Sequence, residues 1–188
     1  MTRENLFVIF PPGAGGNHLA NIISVGNRFS SRFYVGNYKN LVGNAHVSNI
    51  KNLQIDQATI DQLKTTSNVL CGHLAEYLWA QDLVCQLPNR KYLVLEFGST
   101  LSDVVRNRMI KLYPAYQDNY FMQEIATLYS QQYIERILGE TDFFRLDVNV
   151  LFQEDVSDLL TSIEQDLDLN LDRFEIQELH NKWLLTIT

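Results

Sequence analysis

Leu6-Phe7-Val8-Ile9-Phe10-Pro11-Pro12-Gly13-Ala14-Gly15-Gly16-Asn17-His18-Leu19 is the stretch that decides the fold. Its first five residues form a continuous apolar run, the pattern of a strand buried on both faces. Pro11, Pro12 and Gly13 stop that run, because proline lacks a backbone donor and glycine admits turn geometry. Leu19, Ile22, Ile23 and Val25 then recur near helical spacing and predict a helix from about Asn17 to Val25. Further along, Asn68-Val69-Leu70-Cys71-Gly72, Lys91-Tyr92-Leu93-Val94-Leu95-Glu96-Phe97 and Phe143-Phe144-Arg145-Leu146-Asp147-Val148 read as strands. Helical patterns fall at 55–63, 75–85, 101–112, 115–138, 156–167 and 171–184, while 26–55 shows no clear period and reads as irregular, with room for one short helix.

Short apolar strands alternating with helices predict an α/β fold, a central parallel sheet with helices on both faces. No Pro/Gly/Ser linker divides the chain, so residues 1–188 are expected to form one domain. Ligands of such sheets bind beyond the carboxyl ends of the strands. The functional segments are therefore expected in the loops after residues 6–10, 69–71 and 92–97.

The chain has 188 residues with a net charge of -7, and 46% of them are hydrophobic. The acidity argues against nucleic acid as a partner. The charge is uneven. Residues 1–112 hold 11 Lys/Arg against 7 Asp/Glu, whereas 113–188 hold 4 against 15. An anionic small molecule thus suits the first half. Cys71 and Cys85 are too few for a disulfide scaffold and read as reduced thiols. No apolar run approaches the ~18 residues of a membrane span, and Glu4 and Pro11-Pro12-Gly13 do not suit a signal peptide. The expectation is a cytoplasmic protein that contacts no membrane.

Pro12, Gly13, Ala14, Gly15, Gly16, Asn17 and His18 join the first strand to its helix. Small residues let a backbone wrap an anion, and the first N–H groups of a helix are unpaired and partly positive. The spacing departs from G-x-x-x-x-G-K-[ST]. Pro11 stands at the first glycine, Asn17 at the lysine and His18 at the metal-binding hydroxyl. A plain tight βα turn explains the same glycines. His73 follows the strand 69–71 through Gly72 and is placed to accept a proton from a substrate hydroxyl. A structural, hydrogen-bonded histidine is its alternative. No His/Cys group has metal spacing, so no metal is expected.

In this order the segments resemble the P-loop sulfotransferase family. Pro12 to Leu19 lies on that family's phosphosulfate loop, P-K-S-G-T-[TS]-x-L, and His73-Leu74 on its His-Leu general base. Ser99-Thr100-Leu101-Ser102-Asp103-Val104-Val105-Arg106-Asn107 lies on R-[DN]-P-x-D-V-x-x-S, which holds a nucleotide 3′-phosphate, and Phe144 to Leu169 is similar to the family's C-terminal part. The resemblance implies a three-layer P-loop-type fold. It also implies transfer of a sulfuryl group from 3′-phosphoadenylyl sulfate (PAPS) to a small hydroxyl acceptor, leaving 3′-phosphoadenosine 5′-phosphate, without a metal. His73 would be the base. Residues 12–18, Ser99, Asn107 and Arg106 or Arg108 would hold the nucleotide.

The departures matter most at three positions, and of the second segment only Asp103-Val104 is retained. Gly13 replaces the loop lysine, Ser99 the arginine and Asn107 the serine. Two alternatives follow. One is a P-loop nucleotide phosphotransferase, with Glu96 holding Mg²⁺ through water. The other is a non-catalytic descendant that binds an anion or a partner protein. Tyr113, Tyr116, Tyr120, Phe121, Tyr129 and Tyr133, at helical spacing, suit a core, with an acceptor pocket or a partner surface as the alternative. The oligomeric state is not legible.

Overall fold

The computed structural model describes residues 4–25, 45–46, 61, 63–79, 81, 85–98, 100–139 and 143–187. Ser99 and the pattern read as a helix at 55–63 lie outside these residues, the latter in all but 61 and 63. Five parallel strands form one sheet: β1 (Asn5–Ile9), β2 (Ala45–His46), β3 (Asn68–Gly72), β4 (Arg90–Glu96) and β5 (Phe144–Asp147). Their spatial order is β2-β3-β1-β4-β5. All five residues of β1 are buried, so the central strand is covered on both faces. This is why its sequence is continuously apolar rather than alternating. Phe7 pairs in register with Leu70 on one side and Tyr92 on the other, fixing β3-β1-β4 as the middle of the sheet.

The helices are α1 (Gly16–Val25), α2 (Leu74–Trp79), α3 (Asp103–Leu112), α4 (Asn119–Leu128), α5 (Gln131–Leu138), α6 (Val148–Leu151), α7 (Ser157–Leu167) and α8 (Arg173–Ile187). Helix α1 packs against β1 and β3 beneath it and against α8. One polar pair sits at the amino end of the sheet. Buried Asn68 donates through Nδ2 to Asn5 Oδ1 (2.6 Å) and to the Leu63 carbonyl (2.7 Å), while Asn5 Nδ2 donates to the Pro88 carbonyl (2.6 Å). These bonds satisfy two buried amides and tie β1, β3 and the approach to β4 together, leaving the opposite, carboxyl end for loops.

Two departures from the periodicity have local causes. The single helix expected over 115–138 is a 3₁₀ turn (Pro114–Gln117) followed by α4 and α5. Asp118 is extended and caps α4 by accepting from the Tyr120 N–H (2.8 Å), and Ser130, also extended, starts α5. The Asp118 side chain competes with continued helix at the first point, and the extended backbone of Ser130 breaks it at the second. The strand expected to run to Val148 ends at Asp147, whose carboxylate accepts from the Asn149 N–H (2.7 Å) and opens α6. That carboxylate also explains Gly98. A Cβ there would stand 2.1 Å from Asp147 Oδ2.

Candidate functional site

Because β3, β1 and β4 are adjacent, the loops leaving them meet at one end of the sheet. The turn after β1 has two residues at positive φ, Gly13 (+73°) and Gly15 (+77°), and is closed by a bond from the Ala14 N–H to the Pro11 carbonyl (3.1 Å). A side chain is strained at either backbone conformation. The neighbours add a second reason. A Cβ on Gly13 would lie 2.8 Å from Tyr113 Cβ and 3.2 Å from Tyr116 Cε2, and one on Gly15 would lie 2.9 Å from Trp183 Cζ2. The glycines thus serve close packing as well as turn geometry. The N–H groups that begin α1 rise from this turn, a setting that favours an anion.

His73 stands beside the turn. Its Nδ1 lies 2.9 Å from the Phe10 carbonyl, and the two rings meet edge to face at 4.8 Å. A carbonyl only accepts, so Nδ1 carries the proton. In the neutral ring Nε2 then holds the lone pair, the tautomer a base requires. Phe10 in turn donates its N–H to the Gly72 carbonyl (3.2 Å), and the Leu74 N–H donates to the Tyr129 hydroxyl (3.0 Å). Asn17, at the position the lysine takes in G-x-x-x-x-G-K-[ST], accepts through Oδ1 from the Cys71 thiol (3.4 Å). This bond turns its amide donors away from Cys71.

His18, read from the sequence as part of the ligand set, sits between α1 and α8. It is buried, its ring stacked at 4.2 Å on Trp183, and its Nε2 lies 3.0 Å from His180 Nδ1. His180 Nε2 donates to the Gln153 carbonyl (2.6 Å). That bond makes His180 Nδ1 the acceptor, so His18 Nε2–H donates to it and both rings are neutral. His18 therefore locks α1 to α8. Sequence spacing gave no sign of this, because the partners are 162 residues apart. Burial, and next to it His180, holds His18 well below the usual histidine range. His180 is also lowered, by burial and by the Arg108 charge, which the bond to Gln153 partly offsets.

The sign of the pH dependence follows. The unfolded chain binds protons from about pH 6.5 downward, the buried pair only at lower pH, so stability falls as pH drops below about 6.5. The loss approaches about 1.4 kcal/mol per pH unit for each histidine involved. Melting temperatures at pH 7.5, 6.0 and 5.0 are expected to decline accordingly. A flat profile would mean that the pair is not held neutral.

Arg106 and Arg108 do not act together, because α3 sends them to different cavities. Arg108 reaches the Phe152 carbonyl (2.6 Å) in an open cleft of about 880 Å³ that Asp103 and Glu154 also line. Arg106 faces a smaller cleft of about 410 Å³ at the end of β4, with Phe97, Gly98, Asn119 and Met122. Its Nη2 donates to Asn119 Oδ1 (2.5 Å), and its buried Nε has no partner among the described residues. No carboxylate among those residues lines this cleft. Asn107 is exposed and lines neither cavity. Glu96, the candidate Mg²⁺ acid, pairs with Arg145 Nη1 at 2.5 Å. Among the described residues there is no cluster of three potential metal ligands and no helix long and apolar enough to cross a membrane.

No family model and no curated protein matches the chain. Among solved structures, an unliganded sugar kinase from Janibacter sp. HTCC2649 is similar, with a TM-score of 0.50 and 12% identity over 89% of this chain and 96% of that one. At that identity the likeness speaks to the fold alone. The protein has a three-layer α/β fold, a parallel sheet flanked by helices.

Proposed function

We propose that this protein binds an anionic nucleotide at the carboxyl end of its sheet and transfers a sulfuryl group from PAPS to a small hydroxyl acceptor. The observation that carries the reading is the placement of His73. It stands beside the glycine turn, with its proton directed to the Phe10 carbonyl and its lone pair on Nε2. The turn and the start of α1 would hold the 5′-phosphosulfate, with Asn17 adding amide donors. Arg106 suits the 3′-phosphate better than Arg108, because among the described residues its Nε lacks a partner and no carboxylate shares its cleft.

In the transfer the acceptor oxygen attacks sulfur in line and His73 Nε2 takes the hydroxyl proton. The bond from sulfur to the bridging oxygen breaks, and 3′-phosphoadenosine 5′-phosphate leaves. Phosphoryl transfer from a nucleotide is the second reading, and the likeness to a sugar kinase favours it. Against it stands Glu96, which is engaged by Arg145 rather than offered to a metal. Thermal-shift titration separates the two. 3′-Phosphoadenosine 5′-phosphate is expected to raise the melting temperature without metal, by an amount that follows RT ln(1 + [L]/Kd). A rise with ATP and Mg²⁺ alone would replace the sulfuryl reading by the phosphoryl one.

A further inference from the structure

Tyr116 is fully buried, yet its hydroxyl has no hydrogen-bond partner among the described residues. An unpaired buried hydroxyl is uncommon in a folded protein and calls for a physical reason. Its position supplies one. The 3₁₀ turn Pro114–Gln117 sets the ring against the glycine turn, with Cε2 3.2 Å from where a Cβ of Gly13 would stand. The same ring meets Phe97, just past the end of β4, at 6.0 Å, and Phe121 at 5.4 Å. Tyr129, whose hydroxyl receives the Leu74 N–H next to His73, is an electrostatic neighbour, as is Tyr113. Tyr116 thus sits among all three ligand-end segments. Burial raises its ionisation far above the ordinary tyrosine value, so the phenol keeps its proton and remains a donor.

We infer that the Tyr116 hydroxyl, carried on a ring that packs against Gly13, is a donor to the oxyanion bound at the glycine turn. This rests on the anion-binding reading of the turn. It adds a neutral donor where the chain has Gly13 rather than a cation. A single O–H lacks the charge of an ammonium group but donates one directed bond, and water is excluded around it.

The test is Tyr116→Phe, which keeps the ring and removes only the hydroxyl. Binding is measured calorimetrically with 3′-phosphoadenosine 5′-phosphate and with adenosine 3′-phosphate, which lacks the 5′ group. The variant is expected to bind the first about 10-fold to 100-fold more weakly, the usual weight of a hydrogen bond to a charged group. Its affinity for the second should be unchanged, and its melting temperature unchanged or higher, since an unpaired hydroxyl is removed. Equal loss for both ligands, or a lower melting temperature, would overturn the inference by giving the hydroxyl another role. The wild-type protein separates the premises. If it binds 3′-phosphoadenosine 5′-phosphate more tightly than adenosine 3′-phosphate and Tyr116→Phe leaves that difference unchanged, the anion reading stands and this inference fails. If the wild-type protein binds neither nucleotide, both fail.

Discussion

Gly16→Ala is expected to lower the melting temperature by roughly 6–12 °C, which corresponds to about 3 kcal/mol for a domain of this size. A Cβ on Gly16 would stand 1.9 Å from Phe10 Cγ and 2.6 Å from its Cβ. These atoms sit at the root of a buried side chain, so a rotamer change cannot clear them. Either α1 or the end of β1 must move. Phe10 also carries the carbonyl that orients His73, so the displacement reaches the site. Gly139→Ala is the control. Gly139 has φ +66° at the end of α5, and a Cβ added there would meet nothing within 4 Å among the described residues, so only backbone strain is felt, about 1 kcal/mol. Scanning calorimetry of both variants checks the difference. Equal losses would show that the Gly16–Phe10 packing is not as described.

His73→Ala should reduce sulfate transfer about 10²-fold to 10⁴-fold, the usual weight of a positioned general base. Affinity for 3′-phosphoadenosine 5′-phosphate should stay within a few-fold, because the ring faces the Phe10 carbonyl rather than the turn's N–H groups. The assay is transfer of labelled sulfate from PAPS to a panel of hydroxyl compounds, with binding measured in parallel. Unchanged turnover with intact binding would remove His73 from the base role. Loss of both would instead mark it as structural, since Phe10 and the turn depend on the same contacts.

The strands were legible for a specific reason. β1, β3 and β4 are central, so Leu6–Phe10, Val69–Cys71 and Tyr92–Leu95 are apolar without interruption, and proline or glycine follows each within a few residues. β2 was not legible. A two-residue edge strand, Ala45–His46, carries no period, and only pairing with Leu70 and Cys71 defines it. The break at Ser130 is not legible because the apolar spacing of 121–137 continues across it, and the one at Asp118 because its cap acts locally.

The candidate site divides in the same way. The strand-turn-helix run of 6–25 and the position of His73 after a strand come from local spacing, which the chain carries in full. The partners of those residues come from across the fold. His18 meets His180, Gly13 meets Tyr113 and Tyr116, and the two arginines of α3 part company according to what packs on either side of the helix. Sequence by itself therefore determined the layered parallel sheet and the end at which chemistry is to be sought, because burial and turn formation are properties of short segments. Only the tertiary structure decided which side chains gather at the candidate site and which are spent on packing, because that depends on neighbours as much as 162 residues away.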